Sequence, residues 1–407
     1  MSAPGPARSS LAVDGALLEG PIVCPPRGAA RLREALLELV MVLAGLLVAT
    51  LAAEALTRRF APQLLYRYPQ GLYQAHPTRA YQLVPNFHGR LTTSEFDTAV
   101  ITNSMGLRDD MEYGPKAPGT VRILVLGDSF AMGIGVEARE TFTRLVTERL
   151  NADASGMRFD AINSGVPSYS TREETLYLEE QGLQLEPDIV LLAFYVGNDI
   201  VDNTRTSWSR VVGGDLVDPE PHPGVLPLAV RRVLARHSQL YHFLWPIQRR
   251  LRGHADEEHR AEQRMFAIYD RPTAPNIAPA WQATERWLAR LVHVTRTHGV
   301  TLGVVLIPER LQVDTASWGT TAARLNDGAA EYRRDRPERQ LVEMLGRLHV
   351  PTLDLLGALQ SAVPGQSLYF RLDGHWTPAG HRVAADAIVG FLRQARLVPP
   401  SGAPRVL

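Results

Sequence analysis

From residue 121 onward the chain alternates short apolar runs with amphipathic stretches, and this pattern limits the fold more than any other feature. "RILVLGD" (122–128) is a nearly continuous apolar run, as expected of a parallel strand covered on both faces. "ETFTRLVTERLNA" has helical spacing. "FDAINSGV" then reads as a second strand, "REETLYLEEQGLQLE" as a second helix and "DIVLLAFYVGND" as a third strand. Further on, "WQATERWLARLVHVTRTHG" reads as a helix, "VTLGVVLIPE" as a strand and "TPAGHRVAADAIVGFLRQA" as a closing helix. Strands separated by helices of this length predict an α/β fold, a doubly wound and mainly parallel sheet. Ligands of such sheets lie outside the carboxyl ends of the strands. Hydrophobic residues make up 45% of the 407, enough for a sizeable core.

Elsewhere the pattern differs. Residues 35–56, "ALLELVMVLAGLLVATLAAEAL", are apolar except for Glu38 and Glu54, and about 20 such residues cross a bilayer as a helix. A transmembrane anchor is the expectation, set against a cleaved leader or a buried core helix. Arginines flank both ends; a single pass with the N-terminus inside and the α/β domain extracytoplasmic is the expected arrangement. Residues 1–34 read as a mobile tail, rich in Pro, Gly and Ala up to residue 30. It holds the lone cysteine, Cys24, in a context poorly suited to lipidation. Residues 60–118 carry strand-like pieces and turn signals and predict a small β-rich lead-in. The α/β domain is expected over 119–400, interrupted at about 203–280 by a basic, aromatic, helical insertion. That insertion reads as a cap over part of the cleft, a membrane-surface helix or a solvated elaboration; the cap is the working expectation.

Lysine plus arginine equals aspartate plus glutamate at 43 each, which gives no electrostatic reason for a nucleic-acid partner. One cysteine excludes an intrachain disulfide. No P-loop, G-x-G-x-x-G or H-E-x-x-H occurs, so neither a cofactor nor a metal is expected.

The strand ends carry the chemistry. Ser129 follows "LGD", where a strand gives way to a helix. It reads either as a nucleophile at the sheet edge or as a helix N-cap. Gly165 in "NSGVPSY" lets a backbone N–H approach a substrate oxygen, or is a turn glycine. Asn198 in "YVGND" offers a side-chain amide, or is likewise a turn residue. "LDGHWTPAGH" supplies Asp373 and His375 in a loop: a base for the Ser129 proton and an acid to fix its tautomer. His381, inside the helix that Pro378 begins, reads as a helix-face residue. Trp376 reads as loop packing, with sugar stacking the alternative.

On these residues the chain resembles the SGNH (GDSL) hydrolase family over about residues 121–393. "GDS" at 127–129, Gly165, "GND" at 197–199 and "DGH" at 373–375 follow the order of that family's four blocks. The resemblance implies a flavodoxin-like fold with Ser129 as nucleophile, His375 as base and Asp373 as orienting acid. It further implies an oxyanion hole from Ser129 N–H, Gly165 N–H and the Asn198 amide. The closing motif departs from the usual D-x-x-H: D-x-H-W is similar to that of alginate-type polysaccharide O-acetyltransferases. The resemblance thus implies an esterase acting on O-acyl or O-acetyl groups, or an acyltransferase acting on an envelope or exported polysaccharide. Substrates would be esters or acylated carbohydrates, with polysaccharide-modifying proteins as partners. A non-catalytic glycan-binding scaffold is the alternative of another class.

Overall fold

In the computed structural model the fold is described for residues 27–152, 157–205, 209–217, 227–251, 253, 255–326, 328, 330–362 and 365–398. Cys24 and most of the N-terminal tail lie outside these residues. The chain divides into two units, Met1–Leu56 and Thr57–Leu407. The first consists, where described, of helix α1 (Arg27–Phe60), whose last turn runs into the second unit. This helix outruns the 35–56 apolar run at both ends, and Arg31–Phe60 is long and apolar enough to cross a membrane. Its large apolar side chains, from Leu32 to Leu56, are more than half exposed.

The second unit opens with two antiparallel hairpins. β1 (Tyr73–His76) pairs with β2 (Ala80–Leu83), and β3 (His88–Thr92) with β4 (Asp97–Ile101). Their apolar faces do not form a separate core. Leu72, Tyr81 and Leu91 pack with Met132, Ile134, Val166 and Tyr169 of the following α/β region.

That region begins with β5 (Thr120–Gly127), followed by helices α2 (Ser129–Met132) and α3 (Phe142–Asn151). Then come β6 (Arg158–Asn163), α4 (Thr171–Glu180), β7 (Ile189–Tyr195) and α5 (Asp199–Asp202). A small hairpin, β8 (Arg210–Val212) with β9 (Asp215–Val217), precedes helices α6 (Leu228–His237), α7 (Gln239–Leu251) and α8 (Ala255–Phe266). The alternation resumes with α9 (Ala278–Thr297) and β10 (Thr301–Ile307), then α10 (Arg310–Val313), α11 (Thr315–Leu325) and α12 (Arg336–Arg347). It closes with β11 (Thr352–Asp354), α13 (Leu356–Gln360) and α14 (Pro378–Gln394).

The central sheet has strand order β11-β10-β7-β5-β6, and every pairing in it is parallel. Period-2 alternation distributes each strand between two cores. Ile123, Val125, Leu191 and Ala193 face a layer containing Phe142, Val146, Ala384 and Ile388 of α3 and α14. Leu124, Leu126, Val190 and Leu192 face α4, α9 and α12. Coverage on both faces explains why these strands read as unbroken apolar runs. The strand order reverses between β5 and β7, and in an open parallel sheet that switch point opens a crevice at the carboxyl ends. Ser129 follows β5, and Asn198 follows β7.

Candidate active site

β5 ends in Gly127 and Asp128. The Asp128 carboxylate accepts the Phe130 N–H at 2.8 Å and caps α2. The N-cap duty open to Ser129 therefore falls to Asp128, and Ser129 is the first helical residue. Its Oγ lies 2.8 Å from His375 Nε2 and 3.4 Å from Asp128 Oδ2. The helix it opens is a single turn, closed by Gly133 at φ +82°, so its dipole is much smaller than a full helix would supply.

His375 Nδ1 lies 2.6 Å from Asp373 Oδ1, and the His375 backbone N–H donates to the same oxygen at 3.0 Å. A carboxylate only accepts, so Nδ1 carries the proton and Nε2 turns its lone pair to Ser129 Oγ. Gly374 between them sits at φ +86°, a left-handed turn that brings the two side chains onto one side of the loop. The imidazole packs against the Phe130 ring with centroids 5.0 Å apart. The Asp373 side chain is fully buried, whereas that of His375 is 17% exposed. Burial by itself raises the Asp373 carboxyl. The His375 hydrogen bond and charge, together with the Tyr66 hydroxyl, outweigh it and hold the group below the usual carboxylate range.

Two histidines close in sequence have opposite environments. His381 is 1% exposed on α14, stacks on Phe142, and accepts the Phe142 N–H at Nδ1 at 3.1 Å. Burial, with the nearby Arg108 and His375 charges, pushes it down to about 3, so it is neutral at physiological pH and engaged in the core. Trp376 is wholly buried, edge-on to Phe130 and Phe142, as the packing expectation has it.

Residues 265–405 match the family described as SGNH hydrolase-like domain, acetyltransferase AlgX. That match covers the C-terminal part of the α/β region, with Asp373 and His375, and not the segment that carries Ser129, Gly165 and Asn198. No curated protein sequence matches this chain. Solved structures similar to it include TesA, at 14% identity over 67% of this chain and 98% of that one, TM-score 0.37. A catalytic mutant of Axe2, an acetylxylan esterase from Geobacillus stearothermophilus, is 13% identical over 69% of this chain and 96% of that one, TM-score 0.37. A two-domain esterase active on acetylated mannans, co-crystallised with mannopentaose, is 14% identical over 70% of this chain and 52% of that one, TM-score 0.36. The chemistry rests on the residues present, since likenesses at this level carry no argument.

The two remaining expected donors are placed differently. Gly165 packs beneath α2, where a Cβ would stand 2.2 Å from the Met132 nitrogen. Its N–H donates to Asn163 Oδ1 at 2.9 Å, so it is engaged inside the protein and not offered to a ligand. That departs from the oxyanion role expected of Gly165: the glycine is required by close packing. Along the same loop Ser164 N–H goes to Val125 O, Val166 N–H to Gly127 O and Tyr169 N–H to Val166 O. Asn198 precedes α5 and its side chain reaches Asp128.

A cleft of about 450 Å³ opens at the strand ends, lined by Ser129, Asp373 and His375 together with Tyr195, Glu309 and Arg310. None of the described residues of 203–280 lines it, where a cap was the expectation. Behind the site the Tyr269 hydroxyl donates to Glu309 Oε2 at 2.6 Å. Beneath Ser129 lie three buried carboxyl groups, Asp128, Glu174 and Asp199. Burial first, and their mutual repulsion second, raises Glu174 and Asp199 far above the usual range. Among the described residues no group of His, Cys, Asp and Glu is arranged to hold a metal ion.

Sequence reasoning missed the residues that hold the base. Glu95, in the turn between β3 and β4, accepts the backbone N–H groups of Arg371, Leu372 and Asp373 at 2.9, 2.8 and 2.8 Å. Tyr66 donates its hydroxyl to Asp373 Oδ2. Arg108, 2% exposed, donates to the carbonyls of Met132, Gly133, Ala99 and Val136 and so ties the lead-in to the end of α2. Nothing in the sequence near these three residues signals their roles. Only the fold brings Tyr66 and Glu95 to a loop some 280–300 residues away.

Proposed function

We propose that this chain is a membrane-anchored serine enzyme that cleaves O-acyl esters through an acyl-Ser129 intermediate. The observation that carries the reading is the continuous hydrogen-bonded series from Ser129 Oγ through His375 to the buried Asp373. In the first half-reaction His375 Nε2 takes the Ser129 proton as Oγ attacks the acyl carbon. The developing imidazolium is stabilised by Asp373, and the same proton then passes to the departing alkoxide. In the second half-reaction His375 deprotonates the acceptor hydroxyl, which attacks the acyl-enzyme and restores Ser129. The tetrahedral oxyanion of each half-reaction is assigned to the Ser129 N–H and the Asn198 amide.

The acceptor separates two readings. Water makes the enzyme an esterase. A carbohydrate hydroxyl makes it an O-acetyltransferase of an envelope or exported polysaccharide, the reading favoured by the match of residues 265–405 to an acetyltransferase family. The helix at Arg31–Phe60 is taken as an uncleaved anchor, with the catalytic unit on the extracytoplasmic side. Incubation of the full chain with p-nitrophenyl acetate, quenched early and read by peptide mass spectrometry, should show an acetyl group on the Ser129 peptide. An intact, folded chain that releases no nitrophenol and carries no acetyl group would refute the reading and return attention to a glycan-binding scaffold.

A further inference from the structure

Helices α6 and α7 present an apolar surface that the described residues do not cover. On α7, Phe243, Leu244, Ile247 and Leu251 are 41%, 47%, 44% and 83% exposed. At about 100° per residue these four fall within an arc of about 100°, a single stripe along the helix. On α6, Val230 and Val233 are 43% and 60% exposed. Residues 228–251 contain Arg231, Arg232, Arg236, Arg249 and Arg250 and no Asp or Glu. A solvated helix would turn its polar face outward and its apolar face inward. A lid would line the cleft, and this segment does not.

The pair is fastened to the residues that directly follow the apolar span. Arg58 Nη2 donates to His237 O at 2.8 Å, Arg67 Nε to Arg236 O at 3.3 Å, and Arg236 Nη2 to Tyr68 O at 3.4 Å. The Gln63 N–H donates to the Gln239 side chain. Chain connectivity alone keeps residues 58–68 within a short distance of wherever the span leaves the bilayer.

We propose that α6 and α7 form an interfacial element on an anionic phospholipid surface. The Phe243–Leu251 stripe enters the headgroup–acyl boundary, and the arginines sit at the level of the lipid phosphates. The occupant is lipid and not a protein because the stripe is bordered by arginines of one sign, whereas the cores of protein interfaces are depleted of charge. The proposal rests on α1 being a retained anchor, and does not depend on the activity of Ser129.

The test uses the full chain with Cys24→Ser and one introduced cysteine, Leu244→Cys or Ile247→Cys, carrying a nitroxide. Val342→Cys on α12, also exposed, is the aqueous reference. In nanodiscs mixing phosphatidylglycerol with phosphatidylcholine, labels at 244 and 247 should lose accessibility to a water-soluble nickel chelate and gain accessibility to oxygen. The label at 342 should stay aqueous, and the protection should weaken in phosphatidylcholine alone. Aqueous behaviour at 244 and 247 would overturn the proposal. So would protection accompanied by spin–spin broadening that dilution with unlabelled protein removes, which would make the stripe a contact between two copies. Equal protection in the two lipids would overturn the anionic surface. A chain that does not co-purify with nanodiscs would overturn the anchor and this surface with it.

Discussion

Ser129 and the His375 loop are held by different means. Ser129 is positioned by its immediate neighbours: β5 delivers it to the sheet edge, Asp128 caps its helix, and the whole arrangement lies within residues 120–132. The His375 loop has no such local frame. Its backbone is held by Glu95, and its acid by Tyr66, both from the segment that precedes the parallel sheet. A local frame survives as long as the sheet does, whereas the base depends on the lead-in hairpins staying docked. The hairpins share their core with Met132 and Val166, so their docking and the packing of the α/β region draw on the same buried residues.

This contrast can be tested by substitutions of decreasing effect. Asp373→Asn leaves the loop's shape but favours the wrong His375 tautomer; kcat for ester cleavage should fall by about 10⁴-fold. A loss below tenfold would mean Asp373 does not orient the base. Asn198→Ala should lower kcat by about 10²- to 10³-fold with the melting temperature little changed, if the amide serves the oxyanion. An unchanged kcat would remove Asn198 from that role. Glu95→Gln weakens three charge-assisted hydrogen bonds to the base loop. It should cost about tenfold in kcat while leaving Ser129 and its helix intact, and Tyr66→Phe should cost about as much. If instead Glu95→Gln unfolds the whole chain, the lead-in is needed for the fold and not chiefly for the site.

The smallest effect on activity is expected at His381. Its folded value is depressed to about 3 from an ordinary 6.5. Between these two pH values the unfolded chain binds a proton that the folded one does not, so stability rises with pH across that window and is lost as pH falls below about 6.5. His381→Gln should flatten the dependence of the melting temperature on pH between 3 and 6.5 and leave the pH profile of kcat/KM in place. A shifted activity profile would show that His381, and not His375, supplies the base.

The parts of the molecule legible in the sequence are those governed by local pattern. β5, β7 and β10 are apolar on both faces and bounded by polar strand ends, so their positions and parallel pairing follow from composition. Ser129, Asp373 and His375 stand in short motifs at the ends of such elements. Gly165 shows the limit of this reading: a glycine after a strand serves close packing or ligand access equally well, and only the contact with Met132 and the bond to Asn163 distinguish them. The insertion shows a similar limit, since an amphipathic period does not say what the apolar face meets. Glu95 and Tyr66 were beyond reach because a single carboxylate or phenol in a polar turn looks like any other until the loop it holds is folded against it.

The central claim is that Ser129 is activated by His375. Labelling the full chain with a fluorophosphonate, in wild type, Ser129→Ala and His375→Ala, tests it most directly. The account predicts rapid labelling of the wild type, none in Ser129→Ala and greatly slowed labelling in His375→Ala. A folded wild-type protein that does not label, or one that labels equally well without His375, would contradict it.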